Sequence, residues 1–139
     1  MVNKVTTATV IGLDAFNVTV ETDVLGGLPA FSIVGLPDTA INEARDRVRS
    51  AIKNSGFTFP AKKVVINLAP ADLKKEGSNF DLPIAIGLLI EEEVLQEEKL
   101  QNYAFIGELS LDGSLRGVNG VLPLILGLKS FGIKNIFVP

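Results

Sequence analysis

The stretch "FDLPIAIGLLI", residues 80–90, limits the possible folds more than any other part of the chain. Leu82, Ile84, Ala85, Ile86, Leu88, Leu89 and Ile90 leave no polar face at helical spacing. A helix that is apolar nearly all round must be covered on most sides. It is too short for a bilayer, which takes about 20 apolar residues. A sheet and further helices must therefore cover it, and the flanking sequence provides both.

"KVTTATVIGL" (4–13) is rich in β-branched residues and reads as a strand. In "FNVTVET" (16–22), Phe16, Val18 and Val20 alternate with Asn17, Thr19 and Glu21, giving a second strand, with Asp14-Ala15 as the turn between them. "GGLP" (26–29) breaks the chain, and "AFSIVGLP" (30–37) is a third, more buried strand. Asp38 is placed to cap a helix whose stripe is Ile41, Ala44, Val48, Ala51 and Ile52 and which stops at Gly56. "KVVINLAP" (63–70) is a strand, and the loop "ADLKKEGSN" leads into the apolar helix. Asp81 suits the N-cap of that helix, with Pro83 in its first turn and Gly77 in a turn with positive φ. The acidic run Glu91, Glu92, Glu93, Glu97 and Glu98 reads as a solvated end. "NYAFIGELSLDGSLRGV" (102–118) is a strand, an Asp112-Gly113 turn and a returning strand. A helix over 121–132 closing at Gly132 and a strand over 133–139 complete a βββαβαββαβ order, an α+β fold of one domain, residues 1–139. The chain stops on a strand with no polar tail, so a continuation is expected.

Composition removes several chemistries. There is no cysteine and no histidine, so thiolate chemistry and the commonest neutral-pH base are excluded. Only scattered carboxylates remain as metal ligands, and Asp72, Glu76 and Asp81 read as a polar loop; no metal or cofactor site is assigned. No Gly-Lys dipeptide and no G-x-G-x-x-G occurs, so neither nucleotide loop is present. A net charge of −3 argues against a strongly basic nucleic-acid surface. Arg45, Arg47, Arg49 and Lys53 could still form a basic helix face, although Glu43 and Asp46 are interleaved with them. No secretory leader is visible in "MVNKVTTATVIGLDAF", no segment can cross a membrane as a helix, and a cytoplasmic location is expected. The 47% hydrophobic content is high for a free-standing domain and suggests a covered surface.

A serine nucleophile with a lysine base is the remaining catalytic option. The order of "VVINLAP", "ADLKKEGSN", "FDLPIAIGLL", "FIGELSLDGSLRGV" and "GIKNIFVP" resembles the proteolytic domain of the Lon protease family, with its ribosomal-protein-S5-domain-2-like fold. The likeness covers about residues 5–139. Its serine-bearing "KDGPSAG" pattern falls on Lys75 to Asp81. By that match Asn79 stands at the nucleophile and Leu122 at the lysine, so the resemblance implies a degenerate dyad. Slipping the register by one offers Ser78 instead. Lys129 then lies about 10.5 Å beyond Leu122 along a helix, and Lys74 and Lys75 could serve only if their loop folds back.

"FSIVGLPDTAINEARDRV" and "INLAPADLKKEGSNFDLPIA" are long, specific matches to a second group. They resemble the N-terminal Lon-like domain of the magnesium-chelatase-related AAA+ ATPases of the ComM (YifB) type. That resemblance implies a non-catalytic, ring-forming assembly domain, with a hexamer expected. It also implies a downstream module that binds ATP and Mg, and a cytoplasmic bacterial protein that processes DNA in natural transformation. A Ser-Lys peptidase and a direct DNA-binding module are the alternatives.

Overall fold

The structure, a computed structural model, describes residues 2–139. Strands β1 (Val2–Ile11) and β2 (Asp14–Leu25) form a long antiparallel hairpin. The turn is Gly12-Leu13, with Gly12 at φ +64°, and not Asp14-Ala15 as the alternation suggests. Asp14 and Ala15 pair with Ile11 and Val10, because only a glycine takes the left-handed turn position without strain. β3 (Ala30–Val34) and β4 (Lys63–Ala69) run parallel to each other, and β4 is antiparallel to β2. On the other side β5 (Tyr103–Phe105) and β8 (Asn135–Phe137) continue the sheet in parallel, giving the order β3-β4-β2-β1-β5-β8. The segment 102–118 therefore holds more than one hairpin. β5 joins the main sheet, and β6 (Glu108–Leu109) and β7 (Leu115–Arg116) form a separate ribbon. Its turn is the expected one, with Asp112 Oδ1 accepting from Ser114 N and Gly113 at φ +94°.

Helix α1 (Asp38–Asn54) buries Ala44, Val48, Ala51 and Ile52 of the stripe read from its spacing, with Ile41 partly buried against the same core. Helix α2 (Asp81–Glu91) packs beside it on one face of the sheet, over Val5, Val18, Val20, Ile66 and Leu68. Helix α3 (Val121–Ser130) sets Leu124 and Leu128 against Ala8, Ala104 and Ile106 on the opposite face. Alternation along the strands makes both layers possible, since Val5 and Ala8 project to opposite sides of β1. The result is an α+β domain with a mixed six-stranded sheet between helices.

Both glycine stops hold. Gly56 N–H bonds Lys53 O while Phe57 N–H bonds Ile52 O, and Gly132 and Ile133 repeat the pattern on Lys129 and Leu128. Both N-caps fall elsewhere. Pro37 and Phe80 occupy the cap positions, and Asp38 and Asp81 are first helical residues making no side-chain cap bond. The acidic run is not simply solvated. Glu91 Oε2 accepts from Asn3 Nδ2, Glu97 Oε2 accepts from Lys4 N–H, and Glu97–Leu100 is a 3-10 turn. Long carboxylate side chains here reach donors near the N-terminal end of β1, one a side-chain amide and one a backbone N–H. No helix is long and apolar enough to cross a membrane among the described residues.

α2 approaches the hairpin through Gly87. Asn3 Nδ2 donates to Gly87 O at 3.0 Å, and a Cβ on Gly87 would overlap Thr22 Oγ1. Gly87→Val should lower stability by about 2 kcal/mol, as overpacking does in a filled core. A urea midpoint equal to that of the wild type would refute this close approach.

Candidate functional site

The loop between β4 and α2 is built around one lysine. Lys75 turns inward, and its side chain is almost wholly buried. Its Nζ donates to Pro70 O at 2.5 Å and to Leu73 O at 2.6 Å. The ammonium thus ties the loop to itself through carbonyls that have no sheet partner. Gly35 makes room for it: a Cβ there would stand 3.2 Å from Lys75 Cε and 2.8 Å from Leu68 O. Burial pushes the Lys75 amine below its ordinary value, opposed by nearby Asp72. Lys74 points to solvent and pairs with Glu76 at 2.9 Å.

Gly77, at φ +92°, turns the chain into Ser78 and Asn79. Asn79 is 8% exposed and donates from Nδ2 to Ala8 O at 3.0 Å, while its carbonyl accepts from Gly107 N–H. The side chain therefore spans from the loop to β1. Together with Thr9, Val10, Ser78, Val118 and Leu124 it lines a cleft of about 260 Å³.

Leu122 does not share this cleft. It is 67% exposed and lines a separate hollow with Leu13 and Asp14, whereas Leu124 is the α3 residue facing Asn79. Ser78 is half-buried, and no lysine amine hydrogen-bonds to it: Lys75 is engaged beneath the loop and Lys129 is exposed at the last turn of α3. Asp72, Glu76 and Asp81 do not converge, since Glu76 faces solvent beside Lys74 and Asp81 is buried elsewhere.

Asp81 has a different role from helix capping. It is 1% exposed and takes a two-pronged bond from Arg47, Nε to Oδ2 at 2.6 Å and Nη2 to Oδ1 at 3.1 Å. Oδ2 also accepts from Leu109 N–H at 3.1 Å. Burial pushes the carboxyl above the usual carboxylate range, while the Arg47 bonds and the Leu109 N–H pull the other way. The same pairing raises Arg47. Arg47 is thus turned inward, with Glu43 at 3.8 Å as its outer partner, and is not on the basic face read from the helix. Arg45 is also engaged, donating to Phe31 O and Asn42 Oδ1. Only Arg49 and Lys53 of that face are exposed without an acidic partner among the described residues.

The Arg47–Asp81 pair and the inward Lys75 left little trace in sequence. The pair joins residues from different elements, and its only signal is a carboxylate at the start of an all-apolar helix.

A family model described as subunit ChlI of Mg-chelatase matches residues 20–139. The Escherichia coli K12 protein YifB is 56% identical over 116 residues, 84% of this chain. The competence protein ComM of Haemophilus influenzae is 52% identical over 119 residues, 86% of this chain. The chain belongs to the Mg-chelatase-related ComM/YifB family. It spans 23% of the length of each of these two relatives. A Mycobacterium tuberculosis H37Rv relative is 44% identical over 128 residues, 92% of this chain and 25% of its own length.

Arg47→Met should destabilise the domain by about 3 kcal/mol near neutral pH, because it leaves Asp81 charged and buried without its partner. A carboxyl raised on folding binds more protons folded than unfolded between its ordinary value and its raised one, so stability from it grows as pH falls through that window. Without the Arg47 bonds that pull it down, the Asp81 carboxyl rises further in the variant, so the deficit of Arg47→Met should narrow on acidification. Urea melts of both proteins across the acid range check this, and a deficit independent of pH would contradict it.

Proposed function

We propose that this domain is a non-catalytic assembly domain of a magnesium-chelatase-related AAA+ ATPase of the ComM type, with the Lon-like, S5-domain-2-like variant of the α+β fold. The observation that carries the reading is the commitment of Asn79. Its amide stands where the Lon-type match puts the nucleophile, and it is spent on Ala8 O as a tie between loop and sheet. An amide nitrogen donor cannot attack a carbonyl. Leu122, at the matched lysine position, has no proton-accepting atom and faces another hollow.

In the longer protein this domain would organise subunits into a ring, with a hexamer as the expected form. The chain has no Gly-Lys dipeptide, so its own residues do not fit a phosphate-cradling loop. ATP and Mg would be held by a module outside these residues. That the Haemophilus relative is a competence protein supports a role in DNA uptake or processing, and a cytoplasmic location is part of the same proposal.

A Ser-Lys peptidase reading depends on Ser78, which lacks an activating amine. Exposure of the chain to a serine-reactive fluorophosphonate and to casein separates the two. The expected result is no labelling and no hydrolysis. Labelling that disappears in Ser78→Ala, with casein cleavage disappearing alongside it, would overturn the non-catalytic reading.

A further inference from the structure

The face of the molecule at the β3 edge concentrates cations that the rest of the structure does not use. Arg49 and Lys53 are one helical turn apart on α1, and Lys62 stands just before β4. Together with Phe59 and Pro60 they line a hollow of about 340 Å³ to which no carboxylate contributes. None of the three cations forms an ion pair or donates a side-chain hydrogen bond to protein among the described residues. Arg49 is nonetheless held in place. Its guanidinium carbon lies 5.3 Å from the Phe59 ring centre and 5.7 Å from that of Phe31, two rings that also contact each other. Stacking on rings fixes the plane of an arginine and leaves its N–H groups free for an outside acceptor.

The net charge of −3 does not oppose this, because no carboxylate lines the hollow and part of the acidic charge lies elsewhere. Glu91, Glu93, Glu97 and Glu98 gather around a different hollow, beyond α2. A cleft of one sign in low-dielectric walls attracts counter-charge whatever the sum over the molecule.

We infer that the Arg49–Lys53–Lys62 hollow is a binding site for successive phosphate oxyanions, as carried by a single-stranded nucleic acid backbone or by inorganic polyphosphate. A planar arginine braced on aromatics, with two lysines as mobile point charges, suits phosphate groups along a strand more than one compact anion. This site stands independently of the assembly reading. It also differs from the helix face expected from sequence: Arg45 and Arg47 are engaged internally, and Lys62 enters from another element.

The test is fluorescence anisotropy of the 139-residue chain with a labelled oligodeoxythymidylate, and in a second arm direct calorimetric titration with inorganic polyphosphate. Three phosphate contacts on a single strand predict that a threefold rise in salt weakens binding about tenfold. Lys53→Glu with Lys62→Glu, which leaves the Arg49 stacking in place, should abolish binding. Lys129→Glu with Lys134→Glu changes the net charge equally but lies towards the opposite sheet edge, at α3 and before β8, and should retain most of it. Binding of polyphosphate with no binding of the oligonucleotide would assign the free polyanion as the ligand. No binding in either arm, or equal loss in both charge-reversed variants, would overturn the site. Circular dichroism of each variant establishes that it is folded.

Discussion

The bond between Arg47 and Asp81 is the interaction on which the arrangement of this domain most depends. Asp81 opens α2, Arg47 lies in the middle of α1, and Leu109, whose N–H completes the set, belongs to the β6–β7 ribbon. One carboxylate thus fixes three elements that are far apart in the chain. A buried carboxylate without such partners would carry a large desolvation penalty, so the three elements must meet in one geometry for the charge to be tolerated. With α2 held at its first residue, the preceding loop is confined to a short path from Ala69. Lys75 then gathers the loop carbonyls, and Asn79 joins the loop to β1.

This network is what the proposed non-catalytic reading of the loop rests on. Two of the residues that would need freedom to react are engaged. Lys75 is buried under its own backbone and Asn79 is bonded across to Ala8. Such a loop is over-determined, which suits a structural joint. It also places Gly77 and Ser78 at a cleft floored by β1 and walled by α3. Outside this joint, several large apolar side chains stay in solvent, with Leu13 at 95% exposure the extreme case. A chain that spans about a quarter of its relatives' length has room for contacts that these surfaces would make.

Much of the fold was legible in the residues. Periodicity gave the α1 stripe, the buried α2 and the paired first strands. Glycine gave the helix stops at Gly56 and Gly132. What misled was local chemistry with two uses. Asp38 and Asp81 suit a helix N-cap by type and place, yet each sits one position inside, and Asp81 is claimed by a distant arginine. Sequence spacing cannot weigh a cap worth about 1 kcal/mol against a two-pronged buried ion pair. The hairpin turn moved by two residues because Gly12 tolerates positive φ and Asp14 does not need to. At the candidate site, the match of Asn79 to a nucleophile position rests on the motif, and the structure adds its bond to Ala8. The inward fold of Lys75 was not legible, since "KKEGSN" gives no sign of which lysine faces in. The cationic hollow was half legible: Arg49 and Lys53 follow from helical spacing, whereas Lys62 joins them only through the tertiary fold.

The most direct measurement of the central claim is a double-mutant cycle on Arg47 and Asp81, read as urea unfolding free energies of Arg47→Met, Asp81→Leu and the two combined. If the pair is the joint between α1 and α2, the two substitutions are strongly coupled. The combined variant, with an apolar pair in place of the charges, should then be more stable than Arg47→Met alone. Free-energy losses that simply add, leaving the combined variant the least stable of the three, would contradict the account.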